Sequence, residues 1–390
     1  MDKYLEIKEA VANEISSNLP RLIALSEDLA DNPEVSGKEY ETSKKIVELL
    51  RSEGFEVEYP FAGIETAFKA AFGKGDYNHK IAILTEYDAL PDIGHACGHN
   101  VSCAISLLAG MSLKNLQDRL DAEIHIIGTP EEESDGAKCA MCDQGLFKDY
   151  DMAMMVHLYD VNLVYCTLNG LASIMYNFHG KASHAGAAPW DGQNALNAAQ
   201  LMLHGIDCIR GCSKTDARLN SIIHQGGFAG GSIPEEAKVE TWIRYPEYGY
   251  LEKLMKRVDN CAEGAALMAE CTWDKYETAQ VYKSMKRNYA GEAAIEEVFG
   301  ELGLELNGNP DKLFGSSDIG NVSFECPSFH PTIQLAPIGV PIHTREFLAC
   351  IKGEQANKCI EDGAKLIALT IGKIFTDEEK IKQMKADFES

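Results

Sequence analysis

A cysteine and a histidine, Cys97 and His99, stand two residues apart with Gly98 between them. A glycine lets the backbone bend so that both donors face one point. Glu86, Asp88 and His95 lie on the same stretch. A thiolate, imidazoles and carboxylates gathered in this way suit a borderline-soft divalent cation such as zinc. The bland alternative is a buried apolar thiol beside a satisfied polar histidine. A second stretch carries three consecutive acids, Glu131, Glu132 and Glu133, after Pro130. Adjacent carboxylates point in different directions, so one can ligate a metal while its neighbour reaches a water and takes its proton. A solvated acidic loop is the competing reading.

Further along, K-A-S-H-A-G-A-A-P sets His184 in a Gly/Ala-rich turn, where it can donate to the oxyanion of a tetrahedral intermediate. Arg244 can clamp a substrate carboxylate with two parallel N–H donors, or make an ordinary surface ion pair. Asp318 follows the turn Gly315-Ser316-Ser317, and binds substrate, orients a ligand or caps the turn. His343, in I-H-T-R-E-F, has no local case beyond being polar after a strand. His95, His125, His179, His204, His224 and His330 read as structural, as do Cys103, Cys139 and Cys142.

The elements that must carry these groups follow from periodicity. Ile81 to Leu84 is an apolar run of the kind buried in a parallel sheet, and Val101 to Met111 reads as a helix that Asn100 can cap. Glu123 to Thr129 and Asp151 to Leu158 read as two further strands, the first ending at the triple acid and the second near His157. Three strands in succession thus finish in donor or acid–base groups, a βαβ pattern with its chemistry on one edge of the sheet. Upstream, Leu5 to Leu29, broken at Pro20, and Tyr40 to Ser52 read as amphipathic helices.

From Gly170 the pattern changes. Leu171 to His179, Asn220 to Gly226, Ala237 to Tyr245 and Thr272 to Gln280 read as strands, with helices at Ala195 to Ile209 and Tyr250 to Met268 between them. The chain is therefore expected to form a catalytic α/β domain from residues 1–169 and 282–390, interrupted by an α+β insert at residues 170–281. The second catalytic part carries a helix around Glu292 to Leu302, a strand at Thr332 to Leu335 and a long helix from Gln355.

A formal charge of −24 over 390 residues argues against nucleic acid or an anionic membrane as partner, since both need clustered Lys and Arg. No apolar run is long enough to span a bilayer, and M-D-K-Y-L-E-I-K has no signal-peptide core, so the cytosol is the expected compartment. Twelve scattered cysteines then read as free thiols.

The ordered motifs E-Y-D-A-L-P, H-A-C-G-H-N, G-T-P-E-E-E, V-H-L, G-K-A-S-H-A-G-A-A-P, G-S-S-D-I-G-N-V-S and I-H-T-R-E-F resemble the co-catalytic metallopeptidases of the aminoacylase and carboxypeptidase G superfamily. Within it the chain is most similar to the amidohydrolase branch of Xaa-Arg and β-alanyl-lysine dipeptidases and aminobenzoyl-glutamate hydrolase. The resemblance spans nearly the whole chain. It implies a phosphorylase/hydrolase-like catalytic domain with a mixed, mainly parallel sheet, and a ferredoxin-like lid and dimerisation domain. It implies two divalent metal ions per subunit (zinc or manganese, possibly cobalt) held by Cys97, His99, Glu133, His157 and His343. Glu132 becomes general base and acid, Asp88 orients a ligand, and His184 can complete the partner subunit's site in a homodimer. The implied reaction is hydrolysis of an amide beside a free carboxylate, in a dipeptide or an N-acyl amino acid.

Two positions stand out. Asn100 falls where many of these amidohydrolases have Asp and the dipeptidase branch commonly has Asn. Gly230-Gly231-Ser232-Ile233-Pro234 replaces the family's Asn-Val-Ile-Pro, so Gly231 removes an expected substrate contact. Three rival readings remain: an N-acyl or carbamoyl amino acid deacylase, a Cys97 nucleophile activated by His99, and a non-catalytic, metal-stabilised dimer that binds peptides.

Overall fold

In the computed structural model, residues 3–73, 75–309, 312 and 315–390 are described. The chain divides into two compact units, one of Met1–Thr167, Met285–Leu313 and Asp318–Ser390, the other of Leu168–Ser284 and Phe314–Ser317. In chain order the strands are β1 (Glu56–Glu58), β2 (Phe68–Ala71), β3 (His79–Thr85), β4 (Ala122–Gly128), β5 (Met152–Met154) and β6 (His157–Tyr159). They continue as β7 (Gly170–His179), β8 (Arg218–Gln225), β9 (Glu236–Tyr245), β10 (Thr272–Glu277), β11 (Ser328–Phe329) and β12 (Thr332–Gln334).

The first unit is built on a six-stranded sheet in the order β1-β2-β4-β3-β5-β11. Strands β4, β3, β5 and β11 run parallel, and β1 and β2 are antiparallel additions at one side. Ile81, Ala82, Ile83 and Leu84 of β3 are all fully buried, as a parallel strand covered on both faces requires. The helix His99–Leu113 is buried around its whole circumference and packs with Lys3–Asp31 and Glu354–Phe375 into one apolar core. Because β3, β4 and β5 are parallel, the loops leaving their carboxyl ends emerge on one edge.

Three local expectations are corrected. The first helix runs unbroken from Lys3 to Asp31 through Pro20. Pro20 lies on the exposed face, so the carbonyl it leaves unbonded meets water, while Ile7, Val11, Ile15, Leu22 and Leu29 hold the other face. The run 151–158 is two strands, not one. It leaves the main sheet after Met154, and β6 pairs instead with β12 in a two-stranded sheet. Asn100 caps nothing: Gly98 is the cap residue, and the Asn100 amide donates to the Ser26 carbonyl and hydroxyl and to the Ile351 carbonyl.

The second unit is a four-stranded antiparallel sheet, β10-β7-β9-β8, with the helices Ala195–Arg210 and Tyr248–Met268 packed against it. The order of elements, β-α-β-β-α-β, is that of a ferredoxin-like domain. Alternation along β9 buries Ala237, Val239, Thr241, Ile243 and Tyr245 toward the helices. β8 is an edge strand with Ile222 exposed. Among the described residues, no helix is long and apolar enough to cross a membrane.

Candidate metal centre

The loops after β3, β4 and β12, with the first residues of the helix His99–Leu113 and of β6, bring Cys97, His99, Glu132, Glu133, His157 and His343 together. Donor atoms of Cys97, His99 and His157 lie within 4.8 Å of one another, and so do those of Cys97, Glu133 and His343, and of His99, Glu132 and Glu133. Cys97 belongs to two of these sets. Its Sγ is 3.5 Å from His157 Nε2 and 3.3 Å from His343 Nε2, and His343 Nε2 is 3.2 Å from Glu133 Oε1.

The three imidazoles of this cluster are held by backbone or carboxylate partners. Gly98 has φ +85°, and a Cβ there would meet Leu158 Cβ at 3.1 Å, so glycine is what allows Cys97 and His99 to converge. His99 Nδ1 lies 2.9 Å from Asp88 Oδ1 and 3.1 Å from the Asp88 carbonyl, acceptors that fix the proton on Nδ1 and turn the lone pair of Nε2 inward. His157 Nδ1 lies 2.9 Å from the Leu158 carbonyl, which fixes the same tautomer. His343 adopts the left-handed φ of +64°, and its N–H donates to the Ala96 carbonyl, one residue before Cys97.

The donor set fits a cation. Among the described residues, His99 Nε2 and Glu133 Oε1 are buried with no well-formed hydrogen bond, and their near neighbours, Glu86 Oε2 at 3.4 Å and His343 Nε2 at 3.2 Å, are themselves donor atoms for a cation. Burial, reinforced by the Glu133 charge, pushes the Cys97 thiol well above its ordinary value, and burial draws His157 down to about 4. A neutral imidazole is ready to ligate, whereas the thiol needs a cation to become a thiolate. That same upward shift is the opposite of what an activated cysteine nucleophile requires. Glu132 is pushed up by burial and then by the charges of Glu86, Glu133 and Asp318, the direction that suits a group passing a proton.

Behind Glu132 lies a group that sequence reasoning did not single out. Lys138 Nζ is 2.6 Å from Glu86 Oε1 and 2.7 Å from Asp318 Oδ1, with all three side chains fully buried. Asp318 Oδ2 accepts the Lys138 backbone N–H at 3.0 Å, so both oxygens of Asp318 are committed to Lys138. That geometry supports an orienting role for Asp318 over contact with substrate. Burial opposes the charge on Lys138, but Asp318 and Glu86 override it and hold the ammonium above its ordinary range. Burial likewise opposes the charge on Glu86, and Lys138 overrides it, holding Glu86 at about 2. The one sequence cue is a lysine in the otherwise apolar opening of A-K-C-A-M-C.

His184 and Arg244 lie in the second unit. His184 Nδ1 accepts the backbone N–H groups of Gly186 and Ala187, each at 3.1 Å, which leaves Nε2 as the N–H donor of an exposed imidazole. The Ala185 N–H donates to the Gly231 carbonyl at 3.0 Å, tying the His184 turn to the glycine turn that departs from the family pattern. Arg244, on β9, stacks its guanidinium 5.2 Å from the Trp242 ring. His330, read as structural, is buried 5.3 Å ring to ring from His157, with neither nitrogen hydrogen-bonded among the described residues.

Parallel strands feed these donors to one sheet edge of a chain interrupted by a ferredoxin-like insert, an arrangement that suits a metal-dependent hydrolase. Residues 166–268 match the family described as the peptidase dimerisation domain. The chain is 30% identical over 383 residues to Xaa-Arg dipeptidase of Mus musculus, covering 93% of this chain and 88% of that one. It is 26% identical to a p-aminobenzoyl-glutamate hydrolase chain of Escherichia coli K12, covering 97% and 94% of the two chains. The fold matches a dinuclear metal-binding peptidase of the M20 family from Bacillus subtilis, with TM-score 0.69, 19% identity, and 92% and 98% coverage. It also matches an aminobenzoyl-glutamate utilization protein from Klebsiella pneumoniae, with TM-score 0.73, 17% identity, and 94% and 99% coverage. The chain belongs to the M20 peptidase family.

Proposed function

We propose that the chain is a dinuclear hydrolase of dipeptides or N-acyl amino acids that carry a free carboxylate beside the scissile amide. The observation that carries this reading is the sharing of one sulfur, Cys97 Sγ, between the donor set of His99 and His157 and the donor set of Glu133 and His343. Each set would hold one cation, with Cys97 placed to serve either, so that two adjacent ions could be bound. Zinc and manganese both suit this mixture of donors, and cobalt is the third candidate.

When bound, a pair of divalent cations supplies the Lewis acidity that polarises the amide carbonyl and acidifies a water. Glu132 takes the proton of that water and returns it to the leaving nitrogen, so the amine departs neutral. Asp88 keeps His99 in the ligating tautomer. In the second unit, His184 is assigned the oxyanion through Nε2–H, and Arg244 the substrate carboxylate.

The second unit is also the proposed homodimer contact, supported by its family match and by Ile222, Phe228 and Trp190, which are 56%, 91% and 78% exposed. The cytosol remains the proposed compartment. The mouse relative favours dipeptides and the Escherichia coli relative an aromatic acyl group, so both classes belong in the test. Protein stripped by chelator and reloaded with zinc, manganese or cobalt is assayed against a panel of dipeptides, N-acyl and N-carbamoyl amino acids. Metal-dependent release of a free amino acid is expected. Turnover that survives stripping would point to the thiol, and no turnover on any substrate to the binding protein.

A further inference from the structure

Resting on the hydrolase reading above, we propose that Lys138 is a positioning residue, a built-in cation that fixes Glu86 and Asp318 behind the metal centre. Oxygens of Glu86, Glu132 and Asp318 lie within 4.8 Å of one another, a spacing that would itself attract a cation. The Lys138 ammonium bridges two of the three, at 2.6 Å and 2.7 Å. Its placement runs against local preference, since Lys138 lies in the first turn of the helix Ala137–Asp143, where a positive charge opposes the helix dipole. A fully buried lysine at such a position is held by its partners and not by its own helix.

The bridge has a direction. Glu86 gives Oε1 to Lys138, and its other oxygen, Oε2, is buried without a hydrogen-bond partner, 3.4 Å from His99 Nε2. His99 Nε2 is the nitrogen that the Asp88 hydrogen bond turns toward the metal cradle. Lys138 therefore determines which oxygen of Glu86 faces the cradle and how close it comes. The same residue holds Asp318 through its ammonium and through its backbone N–H, so the floor beneath Glu132 is set from one point. Lys138 acts through Glu86 and Asp318, and its removal should leave substrate affinity alone while misplacing the groups around the reacting water.

The test uses full-length, metal-loaded protein and four readouts: kcat, KM, bound metal per chain and thermal midpoint. Lys138→Met is expected to lower kcat at least about tenfold, with KM within about threefold of wild type. Glu86→Gln, which keeps an acceptor for the ammonium, is expected to lower kcat similarly with the metal retained. The triple variant Lys138→Met, Glu86→Gln, Asp318→Asn, in which all three groups are uncharged, separates positioning from mere stability. It is expected to recover the wild-type thermal midpoint but not kcat. Should Lys138→Met fail to fold, the other two variants decide. Wild-type kcat in either Glu86→Gln or the triple variant would overturn the role of Lys138 as a positioning residue. Absence of turnover in wild-type protein would instead overturn the hydrolase reading on which it rests.

Discussion

Asp88 holds His99 and the Glu133 backbone at once: Oδ1 lies 2.9 Å from His99 Nδ1, and Oδ2 accepts the Glu133 N–H at 2.9 Å. One carboxylate thus sets the tautomer of a donor from the loop after β3 and the position of a donor from the loop after β4. Asp88→Ala is expected to weaken metal binding by about 10–100-fold, because both donors lose their anchor. Competition with a coloured chelator measures it. Unchanged affinity would mean that the imidazole is oriented by other means.

Cys97 and His343 predict different metal losses. Cys97 contributes to both donor sets, whereas His343 contributes to the one with Glu133. Cys97→Ser should therefore leave less than one tightly bound ion per chain, and His343→Ala should leave about one. Elemental analysis after gel filtration separates the two outcomes. Equal loss in both variants would contradict the sharing of the sulfur.

Glu39 predicts a pH dependence of stability. It is fully buried, and burial raises its carboxyl to about 7, against the backbone N–H groups of Gly37 and Glu131 that stabilise the anion. A folded-state value above the unfolded one means that the folded chain binds more protons between roughly pH 4.5 and 7. The stabilisation is complete below that window and lost as pH rises through about 7. Glu39→Gln should remove this slope, gaining on wild type by on the order of 3 kcal/mol across the window. Urea unfolding of both proteins at about pH 5 and about pH 8 checks it. A parallel pH response in the two would show that Glu39 is not the titrating group.

Gly231 predicts a gain in substrate contact. A Cβ at this position meets nothing within 4 Å, and its φ is not in the left-handed region, so a side chain fits without strain. Gly231→Asn should fold with an unchanged thermal midpoint and lower KM for substrates whose carboxylate the amide can reach. KM values across the substrate panel decide it, and identical values for every substrate would remove Gly231 from the specificity argument.

Much of this architecture could be read in the sequence because its cues are local. β3 is a run of four buried aliphatics, and the second unit alternates strand and helix periods cleanly. Cys97, Gly98 and His99 signalled a metal because they lie within one turn of chain. What stayed hidden depends on partners distant in sequence. Lys138 and Asp318 are 180 residues apart, and nothing near either reveals the other. Pro20 breaks no helix because its exposure is a tertiary fact. His343 carried no local signal, since its position is fixed by a left-handed backbone and a bond to Ala96.

The central claim is that Glu132 moves the proton while its neighbours hold the metal, and Glu132→Gln tests it most directly. Removing the carboxylate should lower kcat by at least about a thousandfold on every amide tried, with metal content equal to wild type. A Glu132→Gln enzyme that keeps its metal and retains wild-type turnover would contradict it.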